Sequence, residues 1–135
     1  MTAPTVWAIR LALLQLVVAF GAGGWLLAAR GLPTLPQPPG WLLPVHLELA
    51  LLGWILQLAM GVAYWMLPKF QTGLPRGATG PAFLVLTMFN LSVLASVAGA
   101  VLGAPGLHLA GRAGELGAVG LFATNAWPRI KAFGT

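Results

Sequence analysis

The near absence of charge is the feature that most constrains what this chain of 135 residues can fold into. Seven basic and two acidic side chains make up 7% of the sequence, whereas hydrophobic residues make up 59%. A soluble domain carries about 25% charged residues, because its surface faces water. So few charges cannot cover a body of this size, which excludes an ordinary soluble enzyme. The composition predicts an all-α integral membrane protein with a single domain over residues 1–135.

Four apolar stretches reach the roughly 20 residues that a helix needs to cross a bilayer. Segments rich in proline and glycine separate them, among them Gly31–Gly40 and Gly103–Gly106. The predicted spans cover residues 8–29, 41–67, 81–103 and 107–127. The fourth span is the weakest, because it contains Arg112 and Glu115. The pattern predicts a four-transmembrane-helix up-down bundle.

The positions of the basic residues predict the orientation of this bundle. Five of them fall at the end that holds the N-terminus: Arg10, Lys69, Arg76, Arg129 and Lys131. By the positive-inside rule, both termini are cytoplasmic and the two loops at the opposite end face outward. We therefore expect a multi-pass protein of the inner (cytoplasmic) membrane. The basic residues form no continuous stripe, so nucleic acid is not an expected partner.

Two histidines carry most of the functional argument. His46 lies about one turn inside the second span, and His108 lies at the start of the fourth, at the same end of the bundle. Helices 2 and 4 are diagonal neighbours in an up-down bundle, so imidazoles at equal depth can hold one haem iron from opposite faces. The alternative is that both are interfacial histidines without a ligand. Polar residues within spans usually mark function, which favours shared ligation.

The neighbours of the histidines suit a haem site. Gly53 shares a helix face with His46, where the missing side chain leaves room for a porphyrin. Arg112, together with Arg30 at the outer rim, can neutralise haem propionates. Covalent c-type attachment is excluded, because the chain has no cysteine.

Alternative interpretations of these neighbours stay open. Glu48 or Glu115 can orient a histidine as a hydrogen-bond acceptor, or Glu115 can pair with Arg112 at i,i+3, which makes both cheaper to bury. Small residues recur at positions 92, 96, 99 and 103 and at positions 111, 114, 117 and 120. They are typical of close helix contact, the favoured interpretation, but also suit a groove for a flat cofactor.

The second span resembles a helix of a known superfamily. HLELALLGWILQLAMGVAYWMLPKF (His46–Phe70) is similar to helix II of the large subunit of haem–copper oxidases and nitric oxide reductases. In that superfamily a histidine near the outer end of this helix ligates a low-spin haem. His46 matches this ligand, and GVAYWMLP (Gly61–Pro68) matches the segment that closes the helix. NAWPRIKAF (Asn125–Phe133) resembles the ends of later helices, and the chain is similar to short four-helix, subunit I-like relatives.

The resemblance implies a b-type haem bound through His46, and the matched depth adds His108 as the second iron ligand. The large subunits carry further histidines for a second haem and a copper, and this chain has no equivalent trio. We therefore expect neither copper nor a complete oxidase or reductase. The expected function is electron transfer, or binding of a diatomic gas such as NO or O2, as a homodimer or beside a respiratory-complex partner. The alternative is a cofactor-free assembly or stabilising subunit of a respiratory membrane complex.

Overall fold

The described residues of the protein, 1–67 and 79–130 in a computed structural model, are helical and contain no strand. The long helices, in chain order, are α1 (Ala3–Gly31), α2 (Leu42–Met66), α3 (Thr79–Leu102) and α4 (Pro105–Ala126). A 3-10 turn, Trp127–Arg129, follows α4. The all-helical expectation is confirmed for these residues. Lys69, Arg76, Lys131 and the last residues of both resembling segments lie outside them.

Three of the four helices, α1, α2 and α3, are long and apolar enough to cross a membrane. This finding agrees with a multi-pass membrane protein. The fourth helix does not reach the same hydropathy, because glycines and the charged pair Arg112 and Glu115 dilute its apolar residues.

Proline and glycine set the bounds of the helices. Pro4 and Pro105 occupy the first turns of α1 and α4, where the missing N–H has no intrahelical partner to lose. Gly103 ends α3 in the left-handed region, at φ +63°, which lets the chain reverse into α4 within two residues. The observed bounds lie within a few residues of the predicted spans, except that α1 begins earlier.

The helix α2 is not uniform along its length. Leu42–Leu47 and Gln57–Met66 are α-helical, whereas Glu48–Leu56 is π-helical. A π segment widens the helix and is frequent at functional sites. The hydrophobic pattern of the sequence did not predict it.

The helices pack first as two antiparallel pairs. In the pair α1 and α2, Ala19 contacts His46 near one end, and Ala8 contacts Gln57 near the other. In the pair α3 and α4, Gly111 lies so close to α3 that a Cβ there would meet the backbone of Ser92 and Ser96. This close approach agrees with the helix-contact interpretation of the small residues.

Polar side chains join the two pairs at three levels. Near the middle, the amide of Gln15 on α1 donates to Asn90 Oδ1 on α3 at 2.8 Å. At the end that holds the N-terminus, the buried guanidinium of Arg129 donates to the carbonyls of Tyr64 and Leu67 at 2.8 and 2.9 Å. At the opposite end, an ion pair between α2 and α4 makes the third link. Phe89, fully buried on α3, lies in the core between these links.

Candidate histidine site

The imidazole of His46 lies against α1. Its Nδ1 is 2.8 Å from the carbonyl oxygen of Ala19, and its ring fills the space that a side chain at Gly23 would need. Ala19 and Gly23 are one turn apart on α1. The ring of His46 therefore packs on one side of α1, where it bonds to the Ala19 carbonyl and lies against Gly23. The residue is half-buried.

The imidazole of His108 lies against α3 instead. Its Nδ1 is 3.0 Å from the carbonyl oxygen of Ser96 and 3.1 Å from the Ser96 hydroxyl. Gly99, one turn further along α3, allows the backbone of His108 to approach closely. Like His46, this residue is half-buried.

Both histidines therefore carry a proton on Nδ1. A carbonyl oxygen can only accept a hydrogen bond, so Nδ1 must carry the proton in each ring. In the neutral imidazole this leaves the lone pair on Nε2, and no hydrogen bond reaches Nε2 from the described residues. An imidazole held by its N–H on a backbone carbonyl is the usual arrangement of a histidine that ligates a metal through its other nitrogen.

The two rings are held by different helix pairs. Glu48, two residues after His46, reaches across to Arg112 on α4. Residues two apart lie on nearly opposite sides of a helix, so His46, which contacts α1, points away from α4. His108 is held on the side of α4 that faces α3. Shared ligation of one iron within a single chain stays a prediction, and these contacts do not favour it.

Arg112 lies between two carboxylates. Its guanidinium is 2.6 Å from Glu48 Oε2 and 3.4 Å from Glu115 Oε2, and both carboxylates are almost completely buried. The two carboxyl groups also lie next to each other. The i,i+3 ion pair expected for Arg112 and Glu115 is thus present, and Glu48 extends it into a link between α2 and α4.

This cluster changes what these residues can do for a haem. Two carboxylates already compensate the charge of Arg112, so little remains for propionates. Neither Glu48 nor Glu115 accepts a hydrogen bond from a histidine in the described part of the chain, because both Nδ1 atoms bond to α1 or α3. Arg30, in the last turn of α1, is exposed and forms no ion pair within the described residues, so it can meet an acidic group.

Gly53 does not leave the room expected for a porphyrin. The side chain of Gln15 from α1 occupies the space beside it. The amide of Gln15 contacts Asn90 and, at 3.5 Å, Gln57, whose own amide donates to the carbonyl of Ala8 at 3.0 Å. Gly53 therefore serves to admit a polar side chain into the centre of the helices.

Two cavities stand out among the described helices, and neither is lined by a histidine. One lies between all four helices at the end that holds the N-terminus, and the other is an open groove between α3 and α4. Neither cavity lies between the two histidines, and shared ligation of a haem inside one chain stays a prediction. Taken one at a time, each histidine has its ring held at Nδ1 and no hydrogen bond at Nε2 from the described residues, as in a histidine that ligates a metal.

No protein-family model matches the chain, and neither a curated protein nor a solved structure matches it. The likeness of α2 to helix II of the oxidase large subunits therefore stays a hypothesis that depends on its own residues. His46 and the segment from Gly61 carry it.

Sequence reasoning identified several of the polar side chains inside the spans, but not the residues that they contact. It gave Gln15 and Asn90 no role, although both are polar residues inside apolar spans, the signal that marked the histidines. It also did not pair Glu48 with Arg112, although both lie a few residues inside their helices at the same end.

Proposed function

We propose that the chain is a membrane-embedded b-type haem protein with His46 as its principal iron ligand. The observation that carries this proposal is the fixed ring of His46, whose Nδ1–H is held by Ala19 O while Nε2 has no partner in the described residues. The likeness of α2 to a haem-ligating helix supports the same residue. Bound haem supplies a one-electron redox centre when both axial positions are filled, and a site for a diatomic gas when one is open.

The second ligand in this proposal is His108 of another copy of the chain. His46 and His108 face different helices within one chain, yet both are half-buried with Nε2 unused. In a homodimer, His46 of one chain and His108 of the other would supply the two ligands while each keeps its hydrogen bond at Nδ1. Arg30, exposed at the same end, is then the residue available to meet the propionates.

The proposed membrane arrangement is an up-down bundle of four spans in the inner membrane with both termini in the cytoplasm. Contacts at matched depth support the alternation of direction, such as Ala19 with His46 and Gly99 with His108. The span α4 depends on neutralising Arg112 and Glu115, and the ion cluster with Glu48 supplies that. The positive-inside rule supports the orientation.

The experiment is purification in mild detergent after expression with added haem precursor. The wild type is expected to show a Soret band and sharp reduced α and β bands. His46→Ala is expected to lose them and to regain a Soret band when free imidazole fills the vacated position. Leu47→Ala, a change at the exposed neighbour, is the matched control and is expected to keep the full spectrum. A colourless wild type, or an unchanged His46→Ala spectrum, would contradict the proposal.

A second candidate function is a cofactor-free stabilising subunit of a respiratory membrane complex. The filled space beside two glycines favours it, because Gln15 takes the space beside Gly53 and α3 takes the space beside Gly111. Under this function the hydrogen bonds of His46 and His108 only hold α2 against α1 and α4 against α3. A colourless protein that co-purifies with a larger membrane complex, with His46→Ala unchanged in that association, would favour this candidate.

A further inference from the structure

The four helices separate at the end that holds the N-terminus and leave a cavity between them. The volume of this cavity is about 50 Å³. One water molecule needs roughly 10–15 Å³ on the same measure, so the cavity has room for a larger molecule. All four helices contribute to its lining, from Thr5 and Ala8 on α1 to Phe122 and Asn125 on α4. The histidines lie at the other end of their helices, so this cavity is separate from the proposed haem site.

The walls of the cavity exclude charged ligands. Its lining consists of uncharged residues, mostly apolar, with Phe89 and Phe122 as aromatic surfaces. An ion placed there would lose its hydration without gaining a partner. Four polar residues also line it: Thr5, Gln57, Tyr64 and Asn125. Because most of the lining is apolar, the cavity suits a compact apolar molecule.

One buried amide gives the cavity a polar group with unused capacity. Gln57 is 1% exposed and lines the cavity. Its Nε2 donates to Ala8 O at 3.0 Å, which uses one of its two N–H groups, and no other acceptor is bonded to Nε2 in the described residues. A ligand with a carbonyl oxygen can accept the second N–H.

We propose that this cavity binds a small, uncharged, ring-sized molecule that carries a carbonyl group, with Gln57 as the hydrogen-bond donor. The apolar walls hold the ring, and the amide selects for the oxygen. Sites of this kind commonly combine a mostly apolar lining with one or two placed polar groups, and they occur between the helices of bundles.

The test compares two probes of equal size, cyclohexanone and methylcyclohexane, by NMR of the isotope-labelled protein in lipid nanodiscs. Cyclohexanone is expected to shift the amide signals of cavity residues such as Ala82 and Phe89 saturably. Methylcyclohexane is expected to bind at least fivefold more weakly. Gln57→Met, which keeps the length of the side chain and removes the donor, is expected to abolish this difference.

A matched pair of filling variants separates the cavity from the surrounding lipid. Val85→Phe fills the cavity from α3, where Val85 is 7% exposed, and is expected to block cyclohexanone. Val18→Phe adds the same ring at an exposed position on α1 and is expected to leave binding unchanged. Equal binding of both probes to the wild type would show a site for any apolar chain, such as a lipid tail, and would overturn the proposal. Shifts that do not saturate would also overturn it, and both outcomes are readable even if Gln57→Met does not fold.

Discussion

At the residue scale, each of the two histidines is hydrogen-bonded to one neighbouring helix. His46 bonds to α1 and His108 to α3, in both cases through Nδ1 and a backbone carbonyl. Their matched depth stays a prediction, which depends only on distance from a span end. Their facing direction could not be predicted, because it depends on packing partners and on the π segment that follows His46.

The ion cluster at Arg112 gives a residue-scale prediction. Arg112→Leu leaves Glu48 and Glu115 buried beside each other without a cation. Removing one partner of a buried ion pair costs about 3 kcal/mol, so we expect the free energy of unfolding in SDS titrations to fall by that amount. Arg30→Leu, at an exposed arginine at the same end of the helices, is the control and is expected to change stability by less than about 0.5 kcal/mol. Equal effects of the two changes would show that the cluster does not stabilise the fold.

At the element scale, the sequence predicted where the helices lie, but it predicted only some of the contacts between them. Long apolar runs bounded by proline and glycine predicted all four helices, since a helix satisfies its backbone hydrogen bonds within one segment. Hydropathy cannot distinguish i→i+4 from i→i+5 bonding, so Glu48–Leu56 was not foreseen as π-helix. Gly99, Gly111 and Gly114 lie in a close contact between α3 and α4, as predicted, whereas Gly103 and Gly120 have open space beside them. Gly53 was expected beside a porphyrin and lies beside Gln15.

The contact between α3 and α4 gives an element-scale prediction. A side chain at Gly111 would meet the backbone of α3, with Ser92 O only 2.7 Å from its Cβ. Gly111→Leu must therefore push the helices apart, and we expect a loss of about 3 kcal/mol in unfolding free energy. Gly120→Leu, on the same helix with open space around it, should be neutral or slightly stabilising because leucine is the better helix former. A neutral Gly111→Leu would mean that these two helices are not packed this closely.

At the scale of the whole molecule, the question is how the helices lie in the bilayer. Three of them meet the length and hydropathy of a membrane span, whereas α4, whose Arg112 pairs with Glu48 on α2, does not. Charge pairing between helices cannot be deduced from a hydropathy pattern, because it depends on which helices are neighbours. The ion cluster therefore links the topology of the molecule to the packing of two of its helices.

Single cysteines test this topology, since the chain has none of its own. We expect Gln37→Cys and Ala104→Cys to react with a membrane-impermeant maleimide added outside intact cells. Thr2→Cys and Ile130→Cys should react only after the membrane is opened. If Ile130→Cys instead reacted from outside, α4 would not cross the bilayer.

In the proposed dimer, one haem iron is held by His46 of one chain and His108 of another. The most direct measurement is the reduced absorption spectrum of a co-purified pair of differently tagged variants, His46→Ala and His108→Ala. Each variant alone lacks the six-coordinate bands, but their heterodimer contains one complete site, so we predict that about half of the wild-type α-band intensity returns. A heterodimer that shows no more six-coordinate haem than the separate variants would contradict the claim.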